Sequence, residues 1–277
     1  MMLIIITVLV AFIIAFILGI ALGFFRDFFA VPQDPTVDYL RDALPGANCG
    51  ACGFPGCENY AAAIAAGEAG ADKCTVGGPA TAEKIASIAG ISAGNAEHTI
   101  TILACQGSST HTVLKGSYSG VQTCRAVKLS SGGIKLCSWS CQGFGDCVKV
   151  CKFDAIQMGE DGLPFVDTKK CTGCQMCVRE CPQGVLKAIP FNQKGAIALC
   201  SNKNPVVKNI RKACKISCFK CGLCVKNCPK QCISLDAQVP VVDYSVCDSC
   251  GTCVEKCPSK VIKIIERDLF NQARICI

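Results

Sequence analysis

Histidine is almost absent: the 277-residue chain has only His98 and His111, and neither lies near a cysteine pair. That scarcity argues against Cys–His nucleophile pairs and against His-rich zinc sites, and both histidines read as surface or loop residues. There is one tryptophan, and aromatic residues make up 6% of the chain. Beyond residue 30 the apolar content is too thin for one large core, which points to several small modules that each need a staple. No G-x-G-x-x-G opens a helix after a strand, and no Walker-type loop occurs, so nothing supports a nucleotide site. No carboxylate pair stands out as an acid–base couple, and no catalytic residue is assigned.

Charge is also missing from one place. Met1 to Phe25 is 25 residues without a charged side chain, closed by Arg26. A cleavable export signal has a basic start and a shorter apolar stretch. This run would extend about 37 Å as a helix, enough to cross a hydrocarbon core of ~30 Å with some tilt. It is expected to be a retained transmembrane anchor. No Lys or Arg precedes it, whereas Arg26 and Arg41 follow, so the positive-inside rule leaves the body of the chain in the cytoplasm.

What the chain has in excess is cysteine, 26 residues or about one in eleven. A reducing compartment makes these metal ligands rather than disulfides. Three stretches share one pattern, C-x2-C-x2-C-x3-C-P: CTGCQMCVRECP (Cys171 to Pro182), CFKCGLCVKNCP (Cys218 to Pro229) and CDSCGTCVEKCP (Cys247 to Pro258). Zinc sites pair two short motifs across a long spacer. In this pattern three thiolates on one tight loop grip one cubane, and the fourth reaches across to the other cluster of a two-cluster ferredoxin.

Crossed ligation requires the motifs in pairs. One cluster is expected to take Cys218, Cys221, Cys224 and Cys257, the other Cys247, Cys250, Cys253 and Cys228, with Ile233 to Asp243 as two short strands around a turn. The motif at Cys171 finds its partner in CSWSCQGFGDCVKVC (Cys137 to Cys151). That gives Cys137, Cys141, Cys147 and Cys181 for one cluster and Cys171, Cys174, Cys177 and Cys151 for the other. GEDG turns between two further strands. The QGFG insertion lengthens the binding loop, and Lys152 stands in the usual proline's place.

A fifth site is expected in NCGACGFPGC, from Cys49, Cys52 and Cys57, with Cys74 carried round by the Ala-rich, helix-favouring stretch Glu58 to Lys73. A zinc knot would satisfy the same spacing, and the company of two ferredoxin modules favours [4Fe–4S]. Six cysteines are left over: Cys105, Cys124, Cys200, Cys214, Cys232 and Cys276. Cys232 and Cys276 read as small buried hydrophobes. Cys105, Cys124, Cys200 and Cys214 flank the first ferredoxin module, and their convergence would make a sixth metal site, cluster or zinc.

The expected fold is a multi-module α+β iron–sulfur protein. It divides into a transmembrane anchor (1–26), a linker (27–36), a small helical N-terminal [4Fe–4S] domain (37–92) and a connecting segment (93–135). Ferredoxin module 1 (136–192), a basic connector (193–213), ferredoxin module 2 (214–265) and a C-terminal tail (266–277) complete it.

This order of anchor, NCGACG-type domain and two ferredoxin pairs resembles the RnfB family, a subunit of the Rnf ion-translocating ferredoxin:NAD oxidoreductase complex, in a long form with two ferredoxin modules. The resemblance covers nearly the whole chain. It implies a membrane-anchored electron-transfer subunit that carries electrons from reduced ferredoxin through at least five [4Fe–4S] clusters, with NAD and flavin chemistry and the Na+ or H+ path on partner subunits. The alternative reading is an iron–sulfur subunit of another membrane oxidoreductase with a quinone partner. A third is a scaffold in which metal only folds the domains.

The formal net charge of +7 invites a nucleic-acid or lipid partner. A [4Fe–4S]2+ core with four thiolates carries about −2, so five clusters bring the holoprotein to about −3. Much of the basic excess therefore offsets cluster charge, and no nucleic-acid partner is expected. One stretch still stands out. Ser201 to Lys230 holds Lys203, Lys208, Arg211, Lys212, Lys215, Lys220, Lys226 and Lys230 and no acid. The face around Lys208, Arg211 and Lys212 is expected to dock an acidic soluble ferredoxin.

Overall fold

The computed structural model describes residues 2–28, 34–95, 98–235 and 238–265. The expected tail, with Cys276, and half of the expected linker (29–33) lie outside them. Helix α1 (Met2–Phe28) opens the chain. Its stretch Ile4–Phe25 has a mean hydropathy of 3.2 and no buried residue, so it is long and apolar enough to cross a membrane.

Three helices build the small domain that follows. In α2 (Pro35–Ala43), Asp34 caps the first turn by accepting from the Thr36 N–H at 2.9 Å, and Pro35 sits where no N–H is needed. α3 (Cys57–Ala65) and α4 (Gly78–Ala89) pack against it around Leu40, Tyr60, Ile64 and Ile85. The stretch expected to be helical as far as Lys73 is helical only to Ala65. Gly67 turns left-handed at φ 73°, and a 3-10 turn at Ala71–Lys73 leads into Cys74.

Tyr60 secures that detour. Its fully buried hydroxyl donates to the Gly70 carbonyl (2.8 Å) and accepts from the Lys73 N–H (3.2 Å). Replacing Tyr60 with Phe should cost about 1 kcal/mol, because the Gly70 carbonyl and the Lys73 N–H both lose their partner. Thermal unfolding would measure the loss, and chelators should strip metal from the Cys74 site faster. An unchanged chelation rate would show that Tyr60 does not position Cys74.

A strand upstream of the first ferredoxin module's expected bounds pairs with it. Strand β1 (Thr99–Leu103), α5 (Cys124–Ser131) and α6 (Asp146–Lys149) precede the hairpin β2 (Ile156–Met158) and β3 (Pro164–Val166). Then come α7 (Met176–Glu180) and β4 (Leu186–Pro190), and β4 pairs antiparallel with β1 in the register Thr101↔Ala188. The second module repeats the plan. β5 (Ala196–Ala198), α8 (Val207–Ala213) and α9 (Leu223–Lys226) lead to the hairpin β6 (Ile233–Ser234) and β7 (Val241–Val242). α10 (Thr252–Glu255) and β8 (Ile262–Ile264) follow, and β8 pairs with β5. Segments 93–135 and 193–213, expected as connectors, thus supply an outer strand to each module.

The repeat is visible in the backbone. Three residues after the last cysteine of each motif, the chain turns left-handed: Asp154 (φ 49°), Gly184 (62°), Gln231 (51°) and Lys260 (51°). One residue further on, Ala155, Val185, Cys232 and Val261 are all buried. Four copies of one turn bring each strand away from the cysteine loop with its apolar side inward.

Candidate iron–sulfur centres

In the second module two cavities hold the cysteines in crossed sets. One is lined by Cys218, Cys221, Cys224 and Cys257. The other is lined by Cys228, Cys247, Cys250 and Cys253. These are the groupings expected from crossed ligation. Cys221 and Cys250 are exposed, which brings both cavities to the surface.

Cys232 also lines the second of these cavities, its Sγ 3.4 Å from that of Cys228. It occupies the repeated buried position, as expected of a small hydrophobe, yet its S–H faces a ligand sulfur. A hydrogen bond to a ligand sulfur favours the reduced cluster. Cys232→Ala should keep the iron and lower the midpoint potential of one cluster by about 40 mV, if the bond contributes about 1 kcal/mol. A potentiometric EPR titration would read this. Loss of four irons instead would make Cys232 a ligand.

In the first module the groupings differ from expectation at one residue. A cavity is lined by Cys124, Cys141, Cys147 and Cys181. Cys137 was expected in this set, and the geometry gives its place to Cys124. Two features bring Cys124 in. Thr123 caps α5 by accepting from the Ala126 N–H (3.1 Å), and the buried carboxylate of Asp146 accepts from the Arg125 N–H (3.2 Å). Asp146 opens α6, beside Cys147, so one carboxylate ties the start of α5 to the cysteine loop. Cys137 instead lines a different cavity with Cys105, Cys200 and Cys214. Cys105, Cys200 and Cys214 do come together as expected, with Cys137 in the place expected for Cys124.

Cys171, Cys177 and Cys151 pack in one cluster with Ile156, Val166 and Leu186. Cys174 joins them: burial first, and then the charge of Cys49, Cys171 and Cys151, pushes its thiol up. The loop they share allows only glycine at 173. Gly173 is left-handed (φ 68°), and a Cβ there would overlap the Thr99 carbonyl oxygen of β1.

Cys49, Cys52, Cys57 and Cys74 lie together in the small domain, since Cys74 is pushed up by burial and then by the other three. Asn48 orders the loop by accepting from the Cys57 N–H through Oδ1 at 2.7 Å. This domain touches the first module beside two sets of cysteines. Lys152 donates to the Asn48 carbonyl (2.9 Å) and Arg179 to the Ala51 carbonyl (3.4 Å).

Two observations bear on what these sites hold. Burial pushes the thiols of Cys137 and Cys147 up to about 12, and those of Cys177, Cys200 and Cys214 to about 11. Such thiols are poor nucleophiles at neutral pH and ionise only where a metal supplies the positive charge. A single zinc, with Zn–S near 2.3 Å, needs sulfurs about 4 Å apart. Among the described residues no three His, Cys, Asp or Glu side chains form a ready single-metal site. In four of the sets the cysteines ring a cavity, as the corners of a cubane require.

The histidines take no part. His98 packs on Phe191 (ring centroids 4.9 Å apart), and His111 Nδ1 bonds the Ser108 hydroxyl at 2.6 Å.

Known families and proteins match this layout. A family model described as "Putative Fe-S cluster" covers residues 44–76, and two described as "4Fe-4S dicluster domain" cover 137–186 and 217–267. The B-type subunit of the Na(+)-translocating ferredoxin:NAD(+) oxidoreductase complex of Acetobacterium woodii is 41% identical over 237 residues, 76% of this chain and 71% of that protein. The proton-translocating counterpart of Clostridium ljungdahlii is 41% identical over 79% of this chain and 77% of its own length. The corresponding subunit of the ion-translocating oxidoreductase complex of Methanosarcina acetivorans is 34% identical over 79% and 82%. At such identity and coverage, with a cluster domain and two dicluster modules in the same order, the chain belongs to the RnfB family, the B-type subunits of ion-translocating ferredoxin:NAD oxidoreductase complexes.

Proposed function

We propose that this chain is the arm that takes electrons from reduced ferredoxin and delivers them, one at a time, to membrane-bound partner subunits. The observation that carries this reading is the packing of cysteine-lined sites from the second module to the small domain that follows the anchor. Five [4Fe–4S] clusters are assigned to Cys49, Cys52, Cys57 and Cys74; to Cys171, Cys174, Cys177 and Cys151; to Cys124, Cys141, Cys147 and Cys181; to Cys218, Cys221, Cys224 and Cys257; and to Cys247, Cys250, Cys253 and Cys228. Each cluster supplies one-electron chemistry. The chain's residues fix its position, exclude water and set its potential.

α1 anchors the chain, and the body faces the cytoplasm, where ferredoxin is. NAD chemistry and the ion path belong to partner subunits, because one uncharged helix offers an ion no polar route. Relatives with the same 41% identity are named for sodium and for proton translocation, so the coupling ion does not follow from likeness.

Ferredoxin docks on the second module. Lys208, Arg211 and Lys212 lie on the exposed side of α8, opposite the buried Ile210 and Ala213. Arg211 stacks over Phe219 (4.5 Å), which lines the Cys218 cavity. Lys220 turns inward instead, to the Asn204 carbonyl and to Gln238 (2.8 Å).

Anaerobic mixing of the purified chain with reduced ferredoxin tests this. Rapid bleaching of the visible absorbance, with EPR signals of reduced clusters, is expected. Bleaching by dithionite but not by ferredoxin would favour a quinone-linked oxidoreductase. No redox response at all would leave a scaffold.

A further inference from the structure

The five clusters leave a gap at the joint between the two ferredoxin modules, and four buried cysteines stand there. Cys105 follows β1, Cys137 lies in the first module's loop, Cys200 follows β5, and Cys214 ends α8. Each module contributes two. All four line one cavity. The joint is built largely on the main chain: Thr112 bridges to Cys214, Lys215 N–H donates to the His111 carbonyl (3.0 Å), and the Ser201 side-chain hydroxyl donates to the Ala104 carbonyl (2.8 Å).

A buried lysine points to an anionic occupant. Lys135 is only 5% exposed, and its ammonium donates to the Gly107 carbonyl at 2.7 Å. No ion pair among the described residues includes it. A buried cation without a counter-charge is costly. A cubane with four thiolates, carrying about −2, would supply that charge. Gly107 itself passes close to the sulfurs. A Cβ there would lie 3.5 Å from Cys105 Sγ, 3.8 Å from Cys214 Sγ and 2.7 Å from a Thr112 methyl. A side chain at 107 would press on the Thr112 methyl, while the two sulfurs lie at ordinary contact distance.

We propose that Cys105, Cys137, Cys200 and Cys214 hold a sixth [4Fe–4S] cluster, which joins the two ferredoxin modules into one continuous electron path. Its neighbours lie on both sides. Cys105 packs with Cys141 and Cys181 of the first module, and Cys200 Sγ accepts from the Cys218 N–H at 3.4 Å in the second. A cluster held by these four cysteines would supply one-electron chemistry between the sites of the second module and those of the first, with no bond or proton changing place. The relay role rests on the electron-transfer reading above, and the metal site does not.

Iron and sulfide counting on the anaerobically purified full chain comes first. About 24 irons are expected for six clusters. About 20, or about 20 with one zinc, would overturn the proposal. Paired substitutions then test the ligand set. Cys137→Ala with Cys214→Ala removes two ligands of one cluster and should lose about four irons. Cys124→Ala with Cys214→Ala strikes two clusters and should lose about eight. The reverse result would return Cys137 to the first module's cluster and overturn the set. In the first variant ferredoxin should still reduce the second module, with its EPR signals intact, while the first module stays oxidised. Undiminished reduction of the first module, with those irons gone, would overturn the relay. Failure of ferredoxin to reduce even the native chain would strike the electron-transfer reading and leave the iron count standing.

Discussion

Ferredoxin should reduce a Lys208→Glu, Arg211→Glu, Lys212→Glu variant about ten- to a hundredfold more slowly than the native chain at low salt, which is the range steering commonly supplies. The three side chains lie on one exposed side of α8 and take part in no ion pair among the described residues. Their charge is therefore free to act on an approaching acidic partner. The rate on the native chain should fall steeply as salt rises, because screening removes the long-range attraction. On the variant that dependence should flatten or reverse. Iron content and reduction by dithionite should not change, since none of the three is a thiolate ligand. Equal rates and equal salt response in both proteins would move the docking face elsewhere, to the first module for instance.

At the other end of the path, Cys57→Ser with Cys74→Ser should remove one cluster and stop delivery to the membrane. Ferredoxin should still bleach the remaining clusters at the native rate, while turnover in the assembled complex falls to background. The expectation follows from position. The small domain follows the apolar helix α1 in the chain, and Lys152 and Arg179 clip it to the first module beside Cys151 and Cys177. If turnover survives the loss of that cluster, electrons leave from a ferredoxin module directly.

Much of this was legible in the sequence because it is local. A C-x2-C-x2-C-x3-C-P run contains its own loop, its own short helix and three ligands of one site. The hairpins around GEDG and between Ile233 and Asp243 likewise close over a few residues. What escaped was non-local. Strand β1 finds its partner across some eighty residues and β5 across more than sixty, so each looked like connector. The exchange of Cys124 and Cys137 has the same origin. Cys137 stands four residues before Cys141 and reads as the first cysteine of a motif. The QGFG insertion changes the loop: Gly143 turns left-handed (φ 84°), where a Cβ would meet the Gly162 carbonyl oxygen at 2.8 Å. Cys124 is instead delivered by a capped helix that Asp146 holds in place. The sequence signals were present, as Thr123 ahead of a helical stretch and as an acid inside a cysteine loop, and neither resembles a ligand motif. Lys135 was invisible as a site residue, because only burial distinguishes it from a surface lysine.

The most direct measurement is freeze-quench EPR, with parallel absorbance, after rapid anaerobic mixing of the full chain with excess reduced ferredoxin. The clusters of the second module should be reduced first, and the signals of the first module and the small domain should follow in order within the same reaction. Reduction confined to one module, or appearing first in the small domain beside the anchor, would contradict a single path running from the basic face to the membrane.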